Sequence, residues 1–270
     1  MSRENPAAAG PRWVEVQPER IVTWVETFGS RHGGAVAEVL AAGEATSREA
    51  ADSAEGIAGA AVVLHAADGW TAECHVPFPP LSATAEPVPA EPVPAEPVPA
   101  GQPRPADGRS APADDAARLA RLMAAHAAAD RTVGVLLVRL GGYAAGVFSG
   151  SPPRLEASKV GSRLVHGRSA AGGQSQQRFA RRREKQAAGA LGAAADTAVA
   201  VFGPHAARLE AVVLGGDRRA MSTLRGDARL APYFALAVER FLTVPDPRLS
   251  VLRQTPAMFR SIRIRLAGPA

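Results

Sequence analysis

Gly172-Gly173-Gln174-Ser175, followed by Arg178, Arg181, Arg182, Arg183 and Lys185, is the part of this 270-residue sequence whose residue types and spacing most directly suggest chemistry. Two successive glycines strip a loop tip of side chains, so its backbone can adopt unusual angles and come close to a ligand. Gln174 adds a side-chain amide, both donor and acceptor, beside its own backbone N–H. Ser175 is a good helix N-cap, and the unpaired N–H groups of a first helical turn suit an oxyanion or a phosphate. Arg178, Arg181, Arg182 and Lys185 then recur at i, i+3, i+4 and i+7, one broad helix face. Lys159, Arg163 and Arg168 approach from the preceding strand and loop. A bare tip on a cationic stalk fits insertion into an RNA-lined cleft. No strong base stands at the tip: His166 lies eight residues before Gln174. Chemistry there would rest on positioning water and stabilising developing negative charge, which suits an activated ester better than an amide. Taken alone, Gly172-Gly173-Gln174 also reads as a plain loop ahead of a helix, and the arginines as a solvated face. The combination at fixed spacing favours function.

Positioning such a tip requires a strand leading in and a helix leading out. Leu155–Val165 reads as the strand and 176–202 as the helix. Ahead of them, Thr132–Leu140 and Tyr143–Ser149 flank Gly141-Gly142 as a hairpin, preceded by a helix over 114–129. Downstream, Ala211–Leu214 is a buried-type strand ending in Gly215-Gly216. A helix near 217–225, a strand at 238–243, two short helical turns and a last strand, Ser261–Leu266, complete the region. Closer to the start, Trp13–Val16 reads as a strand and Pro18 opens a helix to about Arg31, with Ile21, Val22, Val25 and Phe28 on its apolar face. The stretch 35–58 is ambiguous between helix and loop. Ala61–His65 and Trp70–Val76 flank Ala67-Asp68-Gly69 as a second hairpin, and Trp13, Trp24 and Trp70 are expected in the core of the N-terminal region. Between the regions, EPVPA is written three times over 86–100, a polyproline II signal that cannot bury a core. The expected organisation is an N-terminal α/β region over 11–81, a Pro-rich linker or insertion over 82–113, and an α/β domain with a mixed sheet over 114–268.

Charge is unevenly spread. The net +5 hides 11 basic and 18 acidic residues in 1–150, 9 and 2 in 151–190, and 11 and 6 in 191–270. Lys159 and Lys185 are the only lysines among 31 basic residues, a sign of a GC-rich coding sequence, so the overall basicity is a weaker argument than its location. A single cysteine, Cys74, excludes a disulfide framework and cysteine-based zinc sites, and the six scattered histidines form no close metal pair. No cofactor is expected. The start, MSRENPAAAGPRWVE, lacks a signal-peptide pattern, and no long apolar run suggests a membrane helix, so a soluble, cytoplasmic protein, monomeric and without a membrane partner, is expected.

The string GGQS-x-x-RF-A-R-x-R over 172–183 resembles the catalytic loop and following helix in the central domain of eukaryotic and archaeal class I peptide-chain release factors. His166-Gly167-Arg168 resembles the residues before that loop, Val133–Gly150 its opening hairpin and Ala211–Gly215 a later strand. The resemblance covers roughly 130–255. It implies a release-factor catalytic-domain-like fold, a mixed sheet flanked by helices and related to ribonuclease H, in addition to the smaller N-terminal α/β region read from the residues. Two departures are plain: Ser169, Ala170 and Ala171 intervene before Gly172, and 1–80 carries no stop-codon-reading motif. Both fit better the Vms-like release factors, whose actinobacterial branch resembles this chain at His75–Leu81 (HVPFPPL) and Lys159–Arg163 (KVGSR). That resemblance implies peptidyl-tRNA ester hydrolysis on stalled large ribosomal subunits without codon reading, with Gly172, Gly173 and Gln174 catalytic and ribosomal RNA and peptidyl-tRNA as partners. A non-catalytic RNA-binding factor and a hydrolase of free peptidyl-tRNA are the competing readings.

Overall fold

The computed structural model describes residues 10–40, 61–81, 112–139, 141–162 and 175–269, the side chains of 112–113 and 175–185 excepted. In chain order the first elements are β1 (Arg12–Val16), a 3-10 turn (Pro18–Arg20), α1 (Ile21–Arg31), β2 (Ala35–Leu40), β3 (Ala61–Ala66), β4 (Thr71–His75) and α2 (Pro112–Ala128). There follow β5 (Val133–Arg139), β6 (Gly142–Ser149), β7 (Arg154–Ser162), α3 (Ser175–Phe202), β8 (Ala211–Gly216), α4 (Arg218–Leu224), α5 (Ala231–Ala235), β9 (Ala237–Leu242), α6 (Leu249–Arg260) and β10 (Ile262–Ala267). They divide into two units, Met1–Ala128 with Ser261–Ala270 and Ala129–Arg260. Each holds a five-stranded sheet with helices, so the fold class is mixed α/β.

In the first unit the strand order is β1-β10-β4-β3-β2, all antiparallel. Alternation does the sorting. Ile262, Ile264 and Leu266 of β10 are buried between the less buried Arg263 and Arg265, and with Val62, Leu64, Ala72 and Cys74 they make one apolar face. Two helices cover it, α1 through Ile21, Val25 and Phe28 and α2 through Leu119, Ala120 and Met123. His126 at the end of α2 donates Nε2–H to the carbonyls of Pro77 (2.9 Å) and Phe78 (3.1 Å), so the HVPF stretch has a structural anchor.

This arrangement moves two elements. The sequence places the helix within 114–129 and the strand at Ser261–Leu266 in the C-terminal region. Both pack in the first unit instead, because α2 closes the sheet beside α1 and β10 inserts between β1 and β4. Residues 35–40, expected as helix or loop, form edge strand β2 on β3. Trp13, expected in the core, is 45% exposed, with the Arg263 guanidinium 4.6 Å from its ring centre. The EPVPA repeat and most of the expected linker lie outside the described residues.

The second unit orders its strands β7-β6-β5-β8-β9: β5, β6 and β7 antiparallel, β8 and β9 parallel to β5. Central β5 reads as an unbroken apolar run, VGVLLV, because both its faces are covered. Leu136, Val138, Ala145 and Val147 meet Ala194, Ala198 and Phe202 of α3. On the opposite face Phe148 meets Phe259 of α6 edge to face, 6.0 Å between centres. By length and composition alone Gln186–His205 could cross a membrane, contrary to the reading that no such run exists. Its alanines instead form the contact surface of a core helix, and Asp196 in its middle accepts from Arg229 at 2.7 Å. One continuous helix, α6, replaces the two short turns expected before β10. Its Pro256 cannot donate to Leu252, and the Thr255 hydroxyl donates to that carbonyl at 2.7 Å instead.

Candidate functional site

Residues 163–174, which carry Arg163, Arg168, Gly172, Gly173 and Gln174, lie outside the described residues, as does His166. What surrounds them is defined. The segment leaves the end of edge strand β7 at Ser162 and enters α3 at Ser175, the residue expected as the helix cap. The described part of the lead-in strand runs Arg154–Ser162, and positions 163–165 of the expected strand lie outside the described residues. The 28 residues of α3 form one uninterrupted helix, and Gly189 and Gly192 do not break it. Its backbone carries positions 178, 181, 182, 183 and 185 in the first three turns.

Register fixes which face of the sheet Lys159 shares with α3. Tyr143 pairs with Gly161 and Ala145 with Lys159, so Gly161 and Lys159 share the face on which Ala145 packs against α3. The incoming strand thus presents Lys159 on the face from which the basic helix springs. Lys159 is exposed and has no acidic partner among the described residues. The carboxylate on the same strand, Glu156, is engaged elsewhere. It accepts from the Ser149 hydroxyl and from Arg208 Nη2 (2.9 Å), with His205 Nδ1 at 3.5 Å. The Ser149 and Arg208 hydrogen bonds hold its pKa below the usual carboxylate range. Positive charge on this edge is therefore not cancelled by the nearest acid.

Two close approaches mark this end of the sheet. A Cβ on Gly161 would lie 2.5 Å from Tyr143 Oη, so only glycine lets the ring lie across the strand. On β8, beyond β6 and β5 in the sheet, Gly216 has φ +101° and a Cβ there would collide with the Val138 carbonyl oxygen. The chain then turns through Asp217, whose backbone N–H donates to Val138 O (2.8 Å) and whose carboxylate caps α4 at the N–H groups of Arg219 (2.8 Å) and Ala220 (3.2 Å). Tyr143 and Asp217 with Ala187, Ala190 and Leu191 of α3 line a hollow of about 250 Å³. Its one carboxylate is used in the cap, and among the described residues no three metal-ligating side chains gather anywhere. Sequence reasoning missed Tyr143 and Asp217. Gly161 within KVGSR and the Gly-Gly-Asp run were the available signals.

Residues 131–265 match the family described as Actinobacteria/chloroflexi VLRF1 release factor. This match covers the second unit from Arg131 on and most of β10. Among solved structures the chain is similar to the crystal structure of archaeal translation termination factor aRF1, at 14% identity and a TM-score of 0.37. That similarity covers 48% of this chain and 36% of the other, so the chain spans about a third of that relative's length. Among curated proteins no sequence matches.

Proposed function

Because the chain belongs to the Actinobacteria/chloroflexi VLRF1 release factor family, we propose that it is a codon-independent peptidyl-tRNA hydrolase that frees nascent chains from stalled large ribosomal subunits. The supporting observation is a juxtaposition. A twelve-residue segment bearing Gly172-Gly173-Gln174 joins an exposed, basic edge strand to a long helix whose first three turns carry five cationic residues. In this reading the strand and helix are the stalk and the glycine-rich segment is its tip.

In this reading the 3′ ester of peptidyl-tRNA lies against the tip. Gly172 and Gly173 admit the ester without side-chain obstruction. Gln174 orients a water molecule through its amide and stabilises the tetrahedral oxyanion with its backbone N–H. The ester C–O bond breaks, the peptide leaves with a new carboxyl group, and the 3′-hydroxyl takes up the proton. The low barrier of an ester relative to an amide makes a strong general base unnecessary. Lys159, Arg163, Arg168, Arg178, Arg181, Arg182, Arg183 and Lys185 hold ribosomal and transfer RNA phosphates. The reaction uses no cofactor, and the protein acts as a cytoplasmic monomer.

Ser169-Ala170-Ala171 ahead of the tripeptide lengthen the loop and motivate the other reading, an RNA-binding factor without ester cleavage. Release of labelled peptide from purified large-subunit–peptidyl-tRNA complexes separates the two. Gln174→Ala should slow release on the order of a hundredfold while leaving subunit binding in place. An unchanged rate would remove Gln174 from catalysis. Equal cleavage of free peptidyl-tRNA would remove the ribosome from the requirement.

A further inference from the structure

We propose that the groove between α1 and edge strand β1, in the first unit, is a second RNA site that takes a single-stranded segment. The groove has a volume of about 550 Å³, within the about 300–1,000 Å³ usual for small-ligand sites and large enough for a nucleotide. Its cations are Arg12 on β1, Arg20 at the start of α1 and Arg31 at its end. All three are exposed and have no acidic partner among the described residues. Glu15 also lines the groove, but its carboxylate accepts from Ser261 Oγ (3.1 Å) and faces Arg263 Nε (4.0 Å). Three unneutralised guanidiniums along one cleft are a phosphate-tracking arrangement.

The same cleft holds an aromatic ladder. Trp24 stacks on Phe28 (5.5 Å, 9° between planes), Phe28 meets His32 at 4.7 Å, and His32 meets Trp70 at 5.3 Å. Positions 20, 24, 28 and 31 recur along one face of α1, so arginine and aromatic groups interleave by helical spacing. His32 is held by Asp68 Oδ2 at 2.7 Å, and Asp68 Oδ1 accepts from the Trp70 backbone N–H at 3.2 Å. Trp24 and Trp70 are partly exposed and available to bases. Stacking surfaces bordered by arginine are the general means of holding a single strand without reading its sequence. An acidic peptide would use the arginines but not the rings.

The acidic balance of 1–150 argues against a broad phosphate surface, but it does not describe this cleft. Nine of the eighteen acids in that stretch fall within 1–9, 41–60 and 82–111, and only Glu15 of the other nine lines the groove. The site is on the first unit and does not depend on the Gly172-Gly173-Gln174 reading.

The test uses the full-length chain carrying Arg178→Glu and Arg182→Glu, so that RNA bound by the stalk does not dominate. Binding of a fluorescein-labelled single-stranded oligoribonucleotide is followed by anisotropy across a salt series. Adding Arg20→Glu with Arg31→Glu should weaken binding about tenfold or more and flatten the log–log salt slope by about 1.4, the value for two phosphates of a single strand. Arg20→Gln with Arg31→Gln should act in the same direction, with the tryptophan-detected thermal midpoint unmoved. Trp24→Phe should diminish the fluorescence quenching that RNA produces. Unchanged affinity and slope would overturn the proposal. So would equal affinity for a poly-glutamate peptide that the same substitutions abolish.

Discussion

Tyr143 lies so close over Gly161 that a single added methyl group would sit 2.5 Å from its hydroxyl oxygen. The pair is in register across β6 and β7, one residue before the strand ends at Ser162. The ring therefore packs over the last described residues of β7.

Gly161→Ala should displace either the ring or the strand end. Overpacking of this kind costs about 1–3 kcal/mol, so the midpoint of the second unit should fall. Peptide release should fall further than stability explains, because the loop base shifts. Tyr143→Ala in the same chain should recover most of the release rate, by relieving the collision. A double variant no better than Gly161→Ala alone would show that the ring is not what the glycine accommodates.

How legible this arrangement was in the sequence depended on the range of each interaction. Local signals located most elements: Gly69 and Gly141 turn the hairpins at φ +86°, and Asp217 caps α4. Partnership across long separations left no local trace. IRIRLA reads as a strand from its alternation, yet nothing in those six residues says that they insert between strands roughly 190 and 250 positions earlier. AVAEVL was obscured because β2 is an edge strand with Val36 and Val39 exposed, so its apolar residues do not alternate cleanly. At the site, the stalk was readable from helical spacing. Tyr143 was not, because a tyrosine in a strand carries no mark of the glycine opposite it.

The placement of α2 has a direct consequence. Met123 is fully buried in the first unit's core, and all three tryptophans, Trp13, Trp24 and Trp70, belong to that unit. Met123→Ala should cost about 2–5 kcal/mol and lower the tryptophan-detected unfolding midpoint. A tryptophan transition left in place would return α2 to the second unit.

His75 gives the first unit a dependence on pH. It is 8% exposed, its Nδ1 has no hydrogen-bond partner, and burial together with Arg263 and Arg265 pushes its pKa down to about 4. The Glu73 carboxylate, 3.3 Å from Nε2, pulls the other way, but it is shared with Arg265 and does not offset the burial. With the folded pKa below the unfolded value of 6.5, the unfolded chain takes up the proton first as pH falls. Stability is full above 6.5 and is lost between 6.5 and about 4, by roughly 3 kcal/mol at the low end. Asp68, held below 3.8 by His32, loses its contribution only at lower pH. Denaturant midpoints read by tryptophan should decline across this window, and His75→Leu should flatten the decline. An equal slope in the variant would place the dependence elsewhere.

The stalk makes the most demanding prediction, because it joins a local charge to a ribosomal partner. Residues 151–190 hold nine basic and two acidic side chains, and Glu156, one of the two acids, is occupied by Ser149 and Arg208. Such a surface should bind RNA with a steep dependence on salt. Arg178→Glu with Arg182→Glu should weaken binding to large subunits and flatten the log–log salt slope by about one for each phosphate that is no longer neutralised. Gln174→Ala should leave that slope where it was, since an amide at the tip neutralises no phosphate. Sedimentation with purified large subunits across a salt series measures both. Equal slopes for wild type and the double arginine variant would take the helix off the RNA, and a flattened slope in Gln174→Ala would assign the tip to anchoring instead of ester cleavage.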